Sequence, residues 1–142
     1  YMAEFSGVAR YMQETRDKVH RDRYVKTIFG RRRQFREISS QVTELVRQAE
    51  RMAINMPIQG TAADLLKLAM IKISNLIHLE NKDKNVRMLL QVHDELLFEI
   101  RKELVGDWAK RIKEIMENIW KIEVPLITEV KYGINWSEMK PL

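Results

Sequence analysis

Val86-Arg87-Met88-Leu89-Leu90-Gln91-Val92-His93-Asp94-Glu95-Leu96-Leu97-Phe98-Glu99-Ile100 is the stretch on which the fold turns. Two apolar runs of strand length, 86–92 and 95–100, flank the polar pair His93-Asp94 and read together as a β-hairpin. Two-residue hairpin turns favour Asn-Gly or Asp-Gly, so this turn breaks a local rule. Such breaches concentrate where function overrides folding convenience. Inside a strand, adjacent carboxylates such as Asp94 and Glu95 point to opposite faces. At a hairpin tip the backbone turns, and both can approach one metal ion. Hard cations such as Mg²⁺ take such oxygen ligands together with substrate phosphates. A solvated turn with ordinary acidic side chains accounts for the same residues, and the tip by itself leaves both readings open.

Outward from the hairpin, helical spacing dominates. Upstream, an amphipathic helix begins near Thr43, with Leu45, Ala49, Met52, Ala53 and Met56 on its apolar face. Pro57 lacks a donor and is expected to end or kink it, and the pattern resumes through Leu65, Leu66, Leu68, Ala69, Ile73 and Leu76 or Ile77. The polar run 81–85 is a turn. Farther upstream, 3–22 reads as a helix facing inward through Phe5, Val8, Tyr11 or Met12, and Val19. A short strand follows over 24–29, closed by Gly30; then come Arg31-Arg32-Arg33 and a polar loop over 35–41. Downstream, 102–120 reads as a helix burying Val105, Trp108, Ile112, Ile115, Met116 and Ile119, and 124–132 as a last strand, with Pro125 confined to its start or to an edge. The three tryptophans, Trp108, Trp120 and Trp136, read as packing residues. The expected class is α+β: a small antiparallel sheet of the hairpin plus the terminal strand, packed with long helices, one kinked at a proline.

With 142 residues, 45% of them apolar, the chain can bury a modest core and is not compositionally disordered. No apolar run approaches the ~20 residues of a membrane span, and no secretory signal is visible, so a cytoplasmic protein is expected. The absence of cysteine excludes disulfides and thiolate metal sites. The first residue is Tyr1 rather than Met, within an amphipathic pattern, which points to a processed or truncated piece. The net charge of +5 sits in the first third: residues 1–51 hold 12 Lys/Arg against 7 Asp/Glu, whereas 52–142 are balanced. A polyanion could dock on that third, since neutralising phosphates releases counterions. A merely basic solvated surface is the alternative.

The string Gln91-Val92-His93-Asp94-Glu95 between two apolar strands resembles the last polymerase motif of the family A DNA polymerases, of the bacterial DNA polymerase I type. The likeness extends along the chain in order. Tyr24 to Arg33 is similar to the family's later fingers-to-palm segment, and Ala49 to Asp64 to its kinked helix beside the primer–template. Val124-Pro125-Leu126 and Tyr132-Gly133-Ile134-Asn135-Trp136 fit its terminal strand and tail. Related single-subunit RNA polymerases typically carry Ser where this chain has Glu95.

The resemblance implies one palm and late-fingers portion over 1–142, with 1–50 on the fingers side and 51–142 in the palm. It implies nucleotidyl transfer from dNTPs to a primer 3′-hydroxyl on primer–template DNA, with two Mg²⁺ ions about 3.5–4 Å apart. Asp94 would be the metal-binding aspartate, Glu95 an auxiliary carboxylate at the same metal site, and His93 a neighbour of the primer terminus. His93 has no Cys or His partner at metal-ligand spacing, so zinc is not indicated. Arg51, Asn55 and Gln59, with Gln91, would contact the minor groove, where all base pairs offer acceptors in similar places. Asn55 and Gln59 could instead satisfy backbone groups around Pro57, and that break could rotate Gln59 away. Arg31, Arg32 and Arg33 are candidates for phosphate contact, or form a solvated turn.

The family's first carboxylate motif, an Asp-Tyr-Ser-Gln-Ile-Glu-like strand, has no counterpart here, nor do the fingers helix that holds the nucleotide or the thumb. The chain is therefore expected to need the missing N-terminal and fingers part as partner and to be inactive alone. The competing class is a non-catalytic nucleic-acid-binding module derived from a polymerase. Acidic groups facing DNA without a metal would repel phosphate, so retention of His93-Asp94-Glu95 weighs against it. A purely structural α+β domain would leave the ordered series of motifs as coincidence.

Overall fold

The computed structural model describes residues 5–142. The expected first helix thus begins, at Ala3 and Glu4, outside the described residues. Two compact units divide the chain, Tyr1–Asp64 and Leu65–Leu142.

In the first unit, α1 spans Ser6–Asp22 and stops at Arg23, whose φ of 60° is left-handed and whose amide closes onto the Val19 carbonyl at 2.9 Å. His20 and Arg21 occupy the last turn, where a positive charge complements the helix dipole. Only Thr15 and Val19 are fully buried; Phe5 and Val8 stay about half exposed, against the expected inward face. Strands β1 (Tyr24–Lys26) and β2 (Arg32–Gln34) pair antiparallel, Val25 opposite Arg33. Two of the three arginines expected in a turn therefore lie in a strand. All three β2 residues are exposed, so no apolar alternation marks the strand; the guanidinium groups lie over rings, Arg32 4.8 Å from Tyr24 and Arg33 5.1 Å from Phe35. The expected polar loop after it contains a 3₁₀ turn, Arg36–Ser39, anchored by buried Phe35 and Ile38. These two pack with Val19, Val25, Ala49, Ala53 and Met56 into one core. Ala49 and Ala53 are both completely buried in it.

Helix α2, Thr43–Leu79, begins where the sequence indicates and contains Pro57 without ending there. Leu45, expected on its apolar face, is 42% exposed. An unsupported interior proline costs about 3 kcal/mol or more, so the continuity requires other groups to hold the backbone.

In the second unit, β3 (Val86–Val92) and β4 (Glu95–Ile100) form the expected hairpin, with Val86 opposite Ile100 and Val92 opposite Glu95. The register shifts between Met88 and Leu90. That irregularity leaves Leu89 and Leu90 about half exposed. Val86, Met88, Leu96, Phe98 and Ile100 turn to the core, which they share with Ile73, Ile77, Trp108 and Ile112. Lys102–Leu104 forms a 3₁₀ turn leading into α3, Val105–Glu117. This helix ends before Ile119 and Trp120, as the Asn118 amide group bonds back to the Glu114 carbonyl at 2.9 Å. Only Trp108 of the three tryptophans is core; Trp120 and Trp136 are about half exposed.

The α+β class holds, but the terminal strand does not join the hairpin. Of the expected 124–132 strand only β5, Lys131–Tyr132, is extended and paired, and its partner is β6, Lys140–Pro141. Among the described residues, three separate two-stranded sheets result. Val124 and Ile127 are 70% and 83% exposed, so their β-branched character has no surface to pack on among the described residues. Among the described residues, no helix is long and apolar enough to cross a membrane.

Candidate functional site

The tip of the β3–β4 hairpin holds His93, Asp94 and Glu95 in the open: all three are exposed. His93 has φ 52°, and among the described residues neither Asp94 nor Glu95 shares that left-handed conformation. A positive φ at the first central position alone is the sign pattern of a type II′ turn, whose usual occupant is Gly. A β-carbon in that region costs about 1–2 kcal/mol. Gln91 offsets part of it, donating from Nε2 to the His93 carbonyl at 2.6 Å. The irregular turn is thus pinned by a side chain two residues back. It presents Asp94 in the turn and Glu95 at the first position of β4.

Neither carboxylate forms an ion pair with Lys or Arg among the described residues. They border a cleft of ≈ 680 Å³ within this unit, shared with Lys113, Glu129, Lys131 and Tyr132. Two adjacent, unpaired carboxylates suit a hard divalent cation in ligand type. They do not suffice in number, and among the described residues no group of three or more His, Cys, Asp or Glu side chains could hold a metal ion. Any such ion at this tip needs ligands from another segment or from substrate.

Arg51, Asn55 and Gln59 are all exposed on α2. Each four-residue step turns the helix by 360° plus about 40°, so the three form one slowly drifting stripe. Helix α2 continues through Pro57, so the three positions lie on one uninterrupted helix. Arg51 lies 3.5 Å from Glu44, both about 70% exposed, a pairing that solvent screens to little. Asn55 and Gln59 make no side-chain hydrogen bond among the described residues. The backbone around Pro57 takes its extra donors from elsewhere: the Tyr11 hydroxyl bonds the Ile54 carbonyl at 2.8 Å, and Arg31 Nη2 bonds the Gly60 carbonyl at 2.9 Å.

The three arginines divide by role. Arg31 also bonds Asp64 Oδ1 from Nε at 2.7 Å, so its donors are directed at α2. Arg32 and Arg33 lie over Tyr24 and Phe35 with their charged ends exposed, and Arg33 reaches Met52 Sδ at 3.4 Å. Burial raises the Tyr11 hydroxyl above its ordinary range, with a smaller opposing pull from Thr15. Sequence reasoning placed Tyr11 in an apolar stripe and passed over Asp64 as a partner. The proline itself marks the region but not these acceptors: its missing amide belongs to the Ala53 carbonyl, whereas Tyr11 and Arg31 bond the Ile54 and Gly60 carbonyls on either side.

The comparisons with known proteins agree along nearly the whole chain. The family model for DNA polymerase family A matches residues 1–138. The chain is 43% identical over 140 residues to the thermostable DNA polymerase I of Thermus aquaticus, covering 99% of this chain and 16% of that protein. It is 41% identical over 138 residues to DNA polymerase I of Pseudomonas aeruginosa, covering 97% and 15% respectively. Its structure is similar to the POL domain of Pol1 from M. smegmatis, solved in complex with DNA primer-template and dNTP, at a TM-score of 0.80 and 40% identity. That match covers 89% of this chain and 22% of the other. The chain therefore spans about a sixth of the length of the curated relatives. With a match over residues 1–138 and such identity throughout, this chain belongs to the DNA polymerase family A.

Proposed function

We propose that the chain is part of a template-directed DNA polymerase, to which it contributes one carboxylate motif and a set of DNA contacts. The observation that carries this reading is the exposed, unpaired Asp94 and Glu95 on a turn pinned by Gln91, within a chain matched by the family over 1–138. Mg²⁺ bound there would supply Lewis-acid stabilisation of charge on phosphate and hydroxyl oxygens. Asp94 would hold it as principal ligand and Glu95 as auxiliary, with the remaining protein carboxylate coming from outside this chain. His93, fixed in its left-handed conformation by Gln91, would stand near the primer terminus.

Arg51, Asn55, Gln59 and Gln91 would donate to the minor groove. Their guanidinium and amide groups match acceptors that every base pair presents, so they would sense pairing geometry without reading sequence. Arg32 and Arg33 would approach phosphates in a sequence-independent way. Residues 1–50 would belong to the fingers side and 51–142 to the palm. Primer–template DNA, dNTP and the rest of the polymerase are the partners, and the cytoplasm is the compartment.

Primer extension tests this with Mg²⁺ and dNTPs, using the chain alone, then with the polypeptide encoded just upstream, then with Asp94→Ala. Extension that needs both pieces and Asp94 is the expected result. DNA binding without extension in the mixture, and tighter binding once Asp94 is neutralised, would overturn it in favour of a non-catalytic binding module.

A further inference from the structure

Pro57 sits in the middle of the stripe, between Asn55 and Gln59. A proline ring crowds the carbonyl four residues back and removes the amide that would bond it, the usual origin of a sharp kink. Two contacts from other parts of the first unit flank this point. On one side Tyr11, 43 residues away in sequence, donates its hydroxyl to the Ile54 carbonyl at 2.8 Å. On the other Arg31 bridges one helical turn, with Nη2 on the Gly60 carbonyl at 2.9 Å and Nε on Asp64 Oδ1 at 2.7 Å.

The turn carrying Arg31 is itself seated on the helix. Its Ile28 amide donates to Thr61 Oγ1 at 3.2 Å, and the Arg31 amide to Thr27 Oγ1 at 3.3 Å. A β-carbon at Gly60 would meet Thr27 Cγ2 at 2.7 Å and Arg31 Nη2 at 3.2 Å. Thr27 is 2% exposed and its hydroxyl is engaged, so it has little freedom to yield. Glycine lowers helix propensity, yet here it is what admits the turn. Asp64 Oδ2 is buried with no hydrogen-bond partner among the described residues, so Arg31 is the carboxylate's protein anchor.

We propose that Tyr11 and Arg31 are positioning residues that splint α2 on both sides of Pro57, keeping Gln59 in register with Arg51 and Asn55. The proposal rests on the minor-groove reading of that stripe. It assigns Arg31 to Gly60 and Asp64 rather than to a DNA phosphate, and gives Tyr11 a role that is not packing.

The test uses the full-length polymerase containing this chain. Tyr11→Phe, Arg31→Lys and Gly60→Ala are each combined with Gln59→Ala, and the Kd for primer–template is measured at fixed salt. Each splint variant is expected to weaken binding about threefold to tenfold, and the loss should shrink below about twofold when Gln59 is already Ala. Arg31→Lys keeps the charge but cannot reach both acceptors. Unchanged binding with Arg31→Lys would contradict the splint and favour a phosphate contact. Losses additive with Gln59→Ala would also overturn it, because general destabilisation is not coupled to one side chain. Tyr11→Phe removes one hydroxyl and keeps the ring, so it remains a folded probe if Gly60→Ala does not. Gln59→Ala with undiminished binding would sink the minor-groove reading and this proposal with it. A Gln59 effect without coupling would sink the splint alone.

Discussion

The hairpin tip and the middle of α2 each break a rule of local structure, and they are repaired in different ways. At the tip, His93 takes a left-handed conformation, and the group that pins it, Gln91, is two residues away. In α2, Pro57 removes a backbone donor, and the groups that brace the helix come from 43 residues upstream in Tyr11 and 29 upstream of Gly60 in Arg31. A defect mended by near neighbours is visible in a short string of sequence. A defect mended from afar shows only the damage: around Pro57 the sequence marks an end or a kink, and the helix continues.

That contrast can be broken or sharpened at several points. The largest effect is expected in the two cores. Trp108→Ala should destabilise the second unit by about 3–5 kcal/mol, and Phe35→Ala the first by a similar amount, with amide hydrogen exchange showing the loss confined to the mutated unit. Loss spreading equally to both units would show that they do not act as separate packing centres. Next comes Tyr11→Phe, which leaves the Ile54 carbonyl with one donor fewer and should cost about 1 kcal/mol, read as faster exchange along α2 near Pro57. A change limited to α1 would mean that the hydroxyl does not brace α2.

The same contact gives a pH dependence with a definite sign. Burial raises the Tyr11 hydroxyl above the ordinary tyrosine range, so the folded state holds this proton more tightly than the unfolded one. Its contribution is complete below the unfolded value and is lost as pH rises through the folded one. Stability should therefore decline as pH rises through the tyrosine range. Tyr11→Phe should flatten this limb, and a limb of unchanged slope would assign it to other groups. The smallest effect is at the turn. His93→Gly should stabilise the hairpin by at most about 1 kcal/mol in denaturant titration, since glycine tolerates a positive φ. Destabilisation would show that the His93 side chain holds the tip.

Much of this fold could be read in the residues. The start of α2 at Thr43, the 86–92 and 95–100 strands and the His93-Asp94 turn all follow from apolar periodicity and one polar break. What escaped depends on partners distant in sequence. Arg32 and Arg33 carry no strand-like apolar pattern, and they are extended because Lys26 and Val25 supply the opposite edge. Val124 to Thr128 has strand composition but no strand partner among the described residues, and the chain folds its last residues back onto Val130, Lys131 and Tyr132 instead. At the candidate site, the tip residues and the Arg51, Asn55, Gln59 spacing were legible. The donors around Pro57 were not, because neither Tyr11 nor Arg31 signals its acceptor.

The most direct test of the account is single-turnover nucleotide incorporation by the full-length polymerase carrying Asp94→Asn, at saturating primer–template across a range of Mg²⁺. Loss of a metal ligand removes several kcal/mol of transition-state stabilisation. The rate should therefore fall on the order of 10³-fold with DNA affinity retained or improved. Incorporation at the unsubstituted rate, or a loss explained wholly by weaker DNA binding, would contradict the assignment of Asp94 as a metal-holding carboxylate.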